Sequence, residues 1–156
     1  MNDPNASQIA AFKVALESGG LPAGLGYLNS LTPHRFTGLF LSDGEMLRNV
    51  ALYDRSDPNA APWDAFPMLH SYCSIILATG ESFSTSSAME DPRLLDHAAR
   101  ESVRSYCGVP LLDAEGHVIG TLCHFDFIAQ PAEVVNPELM LAIPELIAPY
   151  IGAIEA

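Results

Sequence analysis

Basic side chains are scarce. Seven Lys and Arg stand against 19 Asp and Glu in 156 residues, a formal charge of −12. A phosphate backbone or an anionic lipid surface needs a cationic face, so nucleic acid and membrane are excluded as main partners. No Lys or Arg follows Arg104, whereas Asp113, Glu115, Asp126, Glu133, Glu138, Glu145 and Glu155 all do. A secretory signal is also missing: MNDPNASQIA has neither a basic n-region nor an apolar h-region. Long apolar runs are missing too. The most apolar stretch, Leu139 to Ile154, contains Pro144, Glu145 and Pro149 and falls short of the roughly 20 residues a bilayer span requires. It reads as a packed helix. Three widely spaced cysteines, Cys73, Cys107 and Cys123, make no disulfide framework; reduced thiols and a cytoplasmic location are expected. No Ser-His-Asp spacing, phosphate-cradling glycine loop or paired catalytic carboxylate motif occurs.

What is abundant is apolar surface. With 49% hydrophobic residues, the chain can form one domain over 1–156 and bury roughly 70% of its unfolded surface. Ser7 caps a first helix (7–18) with Ile9, Phe12 and Leu16 on one stripe, closed by Gly19-Gly20. A second helix starts at Pro22 and runs to about Leu31. Arg35 to Leu41 and Met46 to Tyr53 read as a hairpin turned at Asp43-Gly44. Residues Asp54 to Pro67, with Pro58, Pro62 and Pro67, read as a loop. Met68 to Ala78 reads as a buried helix, although its continuous apolar run also suits a strand. A short strand over Glu81 to Ser86 and a helical turn opening at Glu90-Asp91-Pro92-Arg93 follow. Val103 to Leu112 and His117 to Phe127 form a second hairpin. Asn136 and Pro137 then start a terminal helix that should bend or break near Pro144. Hairpin-joined strands with helices at both chain ends imply an α+β fold: a central antiparallel sheet of about five or six strands, with the terminal helices on one face.

The second hairpin carries a specific resemblance. Tyr106-Cys107-Gly108-Val109-Pro110-Leu111, then Gly116 to Asp126 with Gly120-Thr121-Leu122-Cys123, resembles the closing hairpin of GAF domains. Ser71-Tyr72-Cys73 and Asp91-Pro92-Arg93 resemble the pattern that precedes it, and the element order agrees from about 21 to 154. The resemblance implies a GAF-like fold, related to PAS domains, and a small-molecule pocket between the sheet and helices on one face. It implies a sensory or regulatory role, acting through a dimer or a partner protein with an output function. At this length the chain leaves no room for a kinase, cyclase or DNA-binding segment of its own.

Residues flanking the matched motifs are the candidate ligand contacts: Tyr72, Cys73, Phe83, Asp91, Arg93, Tyr106, Cys123 and Phe125. Each has a plainer reading as core or surface packing. Arg93, Arg100 and Arg104 would share one face if their segment is helical, offering guanidinium forks to a small anion, or pairing with Asp91, Asp96 and Glu101. Among GAF-like proteins, the free methionine-(R)-sulfoxide reductases use thiol chemistry, which would involve Cys73, Cys107 and Cys123 here. The segments where that family carries its cysteines, Leu94 to Arg104 and Asp54 to Pro67, have none. Catalytic residues are therefore not assigned. The cyclic-nucleotide signature is absent, the only Lys being Lys13. Covalent bilin is not expected either, since Cys123-His124 lies in the closing strand. His70 and Cys73 give one incomplete ligand pair, so neither metal nor cofactor is expected. The expectation is a stand-alone domain that binds a small molecule non-covalently and forms a homodimer through its terminal helices. The alternatives are a thiol-dependent reductase and an interaction module with an occluded pocket.

Overall fold

The computed structural model describes residues 4–155. The first helix, α1 (Pro4–Asn29), takes in both helices expected before the first hairpin. They meet at a kink where Gly20 adopts φ 72° and ψ −160°, two residues before Pro22. That backbone angle is open to glycine and strained for other residues. Strands β1 (Phe36–Ser42) and β2 (Met46–Asp54) form the first hairpin, and β3 (Phe66–Pro67) closes the proline-rich loop against Met46 and Leu47.

The run Met68 to Ala78 is not one helix. A single 3₁₀ turn, Met68–His70, ends at Ser71 in extended conformation, and α2 (Cys73–Thr79) begins beyond it. The Ser71 hydroxyl accepts the Cys73 N–H at 3.1 Å, a local bond that competes with helix continuation. Gly80 ends α2 in the left-handed conformation. Next come β4 (Phe83–Thr85), β5 (Ser105–Leu112), β6 (Val118–Asp126) and α3 (Pro137–Glu155). Helix α3 runs through Pro144 and Pro149 without a break. Burial of Leu139, Ile143, Ile147 and Ile151 in the core offsets the missing backbone donors.

The six strands form one antiparallel sheet, ordered β3-β2-β1-β6-β5-β4. Strand alternation sends side chains to two separate cores. Leu39, Leu41, Val109, Leu111 and Leu122 meet α1 and α3 on one face. Phe36, Phe40, Tyr106, Cys123 and Phe125 meet α2 and the adjoining turns on the other. The terminal helices thus share one face, as the α+β reading expects. No helix among the described residues is long and apolar enough to cross a membrane.

Candidate functional site

On the α2 face the two layers do not close completely. A cavity of about 350 Å³ remains, within the range of small-molecule sites. Its sheet side is Phe40 of β1, Tyr106 of β5, and Cys123 and Phe125 of β6; Tyr72 and Cys73 enter from the start of α2. Ser102 and Val103 complete one wall, and Trp63, Phe66 and Phe127 cover the opening with His70. Trp63 and Phe127 are 36% and 41% exposed, which puts them at the mouth. Their rings stack 6.4 Å apart, and Trp63 meets Phe125 edge-on at 5.4 Å. Among the described residues, no Lys, Arg, Asp or Glu lines the cavity.

A defect in the sheet holds Trp63 there. The β1–β2 register slips between Leu39 and Phe40, so Val50 is the extra residue of a bulge. The buried Asn49 amide serves the freed carbonyls, donating to Leu39 O at 3.1 Å and Ala51 O at 2.8 Å. Its Oδ1 accepts the Trp63 N–H at 2.9 Å and so pins the loop over the opening. At the loop base, Arg35 grips Asp54 through two bonds, at 2.9 and 3.0 Å, and lies 4.7 Å over the Phe36 ring. Hydrogen bonding from Arg35 holds the Asp54 carboxyl below its ordinary pKa.

The polar groups in the cavity wall cluster at Cys73. Its sulfur lies 2.9 Å from Thr121 Oγ1 and 3.2 Å from Tyr106 Oη. Burial disfavours charge on this thiol, but its polar neighbours, the Thr121 and Tyr106 hydroxyls among them, outweigh it and lower the pKa. Cys123 moves the opposite way, raised by burial and by its neighbour Cys73. Burial also raises Tyr106 well above the usual phenol value, and Tyr72 to about 12. Tyr72 donates its O–H to Val103 O at 2.7 Å.

The residues singled out in the sequence separate into three places. Tyr72, Cys73, Tyr106, Cys123 and Phe125 line the cavity. Phe83 packs 6.1 Å from the Tyr72 ring, and with Cys107 it lines a different groove, of about 380 Å³, beside Glu133 and Met140. Cys107 is there because its β6 partner is His124, whereas Gly108 pairs with Cys123. Directly paired residues share a face and neighbours do not. Burial raises the Cys107 thiol to about 12.

Asp91 and Arg93 form an ion pair away from the cavity, with Arg93 Nη2 2.6 Å from Asp91 Oδ2. The same nitrogen donates to Ser84 O at 2.8 Å, and the guanidinium lies 4.6 Å over Phe83. This clamp ties the Asp-Pro-Arg turn to edge strand β4; the Arg93 hydrogen bond holds the Asp91 carboxyl far below its usual range.

The common arginine face does not form. From Asp91 to Ser102 the backbone makes successive i→i−3 bonds, and the His97 ring takes the Ala99 N–H at 3.0 Å. A side chain competing for backbone donors favours turns over a helix. Arg100 donates to Met89 O at 3.0 Å instead of joining Arg93.

Phe40, Trp63, Phe66 and Phe127 are lining residues that the motifs did not point to. Trp63 had a signal, being the single tryptophan of the chain inside a proline-rich loop. Among the described residues, Asp113, Glu115 and His117 are placed to share a metal ion. They sit at the β5–β6 turn, where the Asp113 carboxylate already accepts the Glu115 and His117 N–H groups at 2.9 Å.

The profile of the GAF domain family matches residues 17–148. No curated protein matches the sequence. Among solved structures, the GAF domain of an Acinetobacter phosphoenolpyruvate-protein phosphotransferase superposes with a TM-score of 0.71 at 14% identity, covering 100% of each chain. A Burkholderia vietnamiensis protein described as a GAF sensor gives 0.67 at 16%, over 90% of this chain and 89% of that one. A free methionine-R-sulfoxide reductase from Neisseria meningitidis, solved with its substrate, gives 0.62 at 20%, over 94% and 87%.

Proposed function

Because the chain belongs to the GAF domain family, we propose that it is a sensory domain whose α2-side cavity binds a small, flat, uncharged molecule non-covalently. The observation that carries this is the lining: aromatic rings on several sides, a few hydroxyls and thiols, and no Lys, Arg, Asp or Glu among the described residues. Aromatic walls reward flat apolar ligands through area and ring contacts. A small anion, the ligand an arginine face would suit, has no cationic partner in this cavity. The Arg93 guanidinium is already paired with Asp91.

Strand β6 supplies a route for reporting occupancy. Cys123 and Phe125 face the cavity, while Leu122 packs into the core against α1 and α3. A ligand that favours one position of β6 would shift the helix layer by population shift, to be read by a second copy or a partner protein docked on the terminal helices. Sedimentation across a concentration series tests the second copy: a dimer is expected, and a monomer throughout removes it.

The rival reading, a thiol-dependent reductase of free methionine sulfoxide, draws support from Cys73 and Cys123 sharing one cavity wall. That substrate carries a carboxylate, which finds no Lys or Arg among the lining residues, and an unpaired carboxylate is costly on burial. The binding reading is therefore preferred. Native mass spectrometry for a co-purified ligand, followed by a thermal-shift panel, tests it. Uncharged aromatic fragments are expected to raise the melting temperature, by about 2.7 kcal/mol of stabilisation at a hundredfold excess over Kd. Ser102→Trp, which puts a large ring at an exposed position on the rim, should abolish that shift while leaving the fold intact. A shift retained in this variant places the ligand elsewhere.

A further inference from the structure

The three thiols have different surroundings, and of the two that line the cavity only Cys73 has hydroxyls within hydrogen-bond distance of its sulfur. We propose that Cys73 is a nucleophile that captures flat, uncharged α,β-unsaturated carbonyl compounds entering the cavity, by conjugate addition. This inference rests on the cavity reading above and assigns the ligand's reactive class.

Two hydroxyls converge on the Cys73 sulfur: Thr121 Oγ1 at 2.9 Å and Tyr106 Oη at 3.2 Å. Each can donate a hydrogen bond to a thiolate, and the thiolate is the form that attacks. Among the thiols and hydroxyls of the lining, these donors make Cys73 the group best able to carry negative charge. The other two cysteines lack that support. The Cys123 thiol donates instead to Gly38 O at 3.9 Å, and its own ionisation is raised by burial. Cys107 is on the opposite face of the sheet, where burial and the Glu133 carboxylate both disfavour a thiolate.

The cavity lining selects the electrophile. Ring faces and edges of Phe40, Trp63, Phe125 and Phe127 suit a conjugated planar molecule, and no Lys, Arg, Asp or Glu among the described residues lines the cavity to hold a charged group. In the reaction, the Cys73 electron pair forms the C–S bond at the β carbon. The π pair of the double bond moves onto the α carbon through the enolate. The proton that left the thiol ends on that α carbon. The adduct is the sum of thiol and ligand, so no oxidant, reductant or leaving group is needed. Tyr106 and Thr121 are positioning residues, acting through the charge on Cys73.

The test uses the full chain with benzylideneacetone, an aryl enone, and with benzylacetone, its saturated counterpart. Intact-mass analysis and peptide mapping follow the first; Trp63 fluorescence follows the second. One adduct is expected, on Cys73, forming at least about tenfold faster than any on Cys107, since each unit of pKa difference is worth a factor of ten in thiolate population. Tyr106→Phe and Thr121→Val keep the side-chain shape and should each slow the reaction by about tenfold, the loss expected from one hydrogen bond to a charged atom, and move its pH midpoint upward. If benzylacetone binds but the enone leaves Cys73 unmodified, or marks Cys107 as fast, the nucleophile assignment is overturned while the cavity reading stands. If both isosteric variants react at the wild-type rate over the same pH range, the activating cluster is refuted. If neither compound binds, the cavity reading fails and this inference with it.

Discussion

Acidification from neutral pH to about pH 4.5 is expected to remove about 5 kcal/mol from the stability of the fold, through two buried histidines alone. His34 and His124 lie under the α1 side of the sheet with rings stacked 6.0 Å apart, both essentially inaccessible. Thr32 Oγ1 is 2.5 Å from His34 Nδ1, and Thr37 Oγ1 is 2.6 Å from His124 Nδ1. Asn29 donates to His34 O and Thr37 Oγ1, and Arg55 reaches the carbonyls of Asn29 and Thr32. Burial lowers His34 to about 4; Asp126 opposes this and Arg55 reinforces it. Burial, then His34 and Arg55, lower His124 to about 3.

Both folded values lie below the unfolded 6.5. The folded state therefore refuses protons that the unfolded chain accepts. Stability is full above about pH 6.5, falls as the pH drops toward about 4, and levels off only below the folded values. Such a loss compares with the whole stability of many domains. Urea midpoints at neutral pH, at about pH 5.5 and at about pH 4.5 measure it; His34→Asn and His124→Asn should each flatten the slope. A ring resonance of His34 or His124 that titrates near pH 6.5 in the folded protein would contradict the account.

Gly120→Ala is expected to cost about 3–5 kcal/mol, the upper range for single substitutions. A Cβ at this position would come within 2.0 Å of the Phe40 carbonyl oxygen, because β6 pairs Gly120 with Leu41 at close approach. That obstacle is backbone, so β1 and β6 would have to separate at the centre of the sheet. Gly116→Ala makes a useful contrast: a Cβ there meets nothing, and the cost is about 1 kcal/mol from its φ of 87°. Urea melts of the two variants give the comparison. Equal, small losses would mean that the β1–β6 contact is looser than described.

The closing hairpin was legible because each of its motif letters answers a local requirement. The Tyr106 ring lies across Gly108, where a Cβ would be 2.5 Å from its hydroxyl, and Gly120 admits the neighbouring strand. Spacing alone defines such constraints. The division of the cysteines was also within reach, since register places Cys107 opposite His124 and Gly108 opposite Cys123.

What no local pattern encodes is the cavity's cover. Trp63 is held by Asn49, 14 residues earlier, at a bulge visible only once β1 and β2 are paired. The arginine face failed for a similar reason. Helical spacing of Arg93, Arg100 and Arg104 counts only if the backbone is a helix, and the His97 side chain helps make it a chain of turns.

The central claim is that the α2-side cavity takes flat, uncharged molecules, and Trp63 at its mouth is the only tryptophan in the chain. The most direct measurement is therefore a titration of its fluorescence with acetophenone and, separately, with benzoate, a flat anion of similar size. A saturable change with acetophenone and none with benzoate is predicted. Saturation by benzoate at equal or lower concentration, or a response to acetophenone that never saturates, would contradict the account.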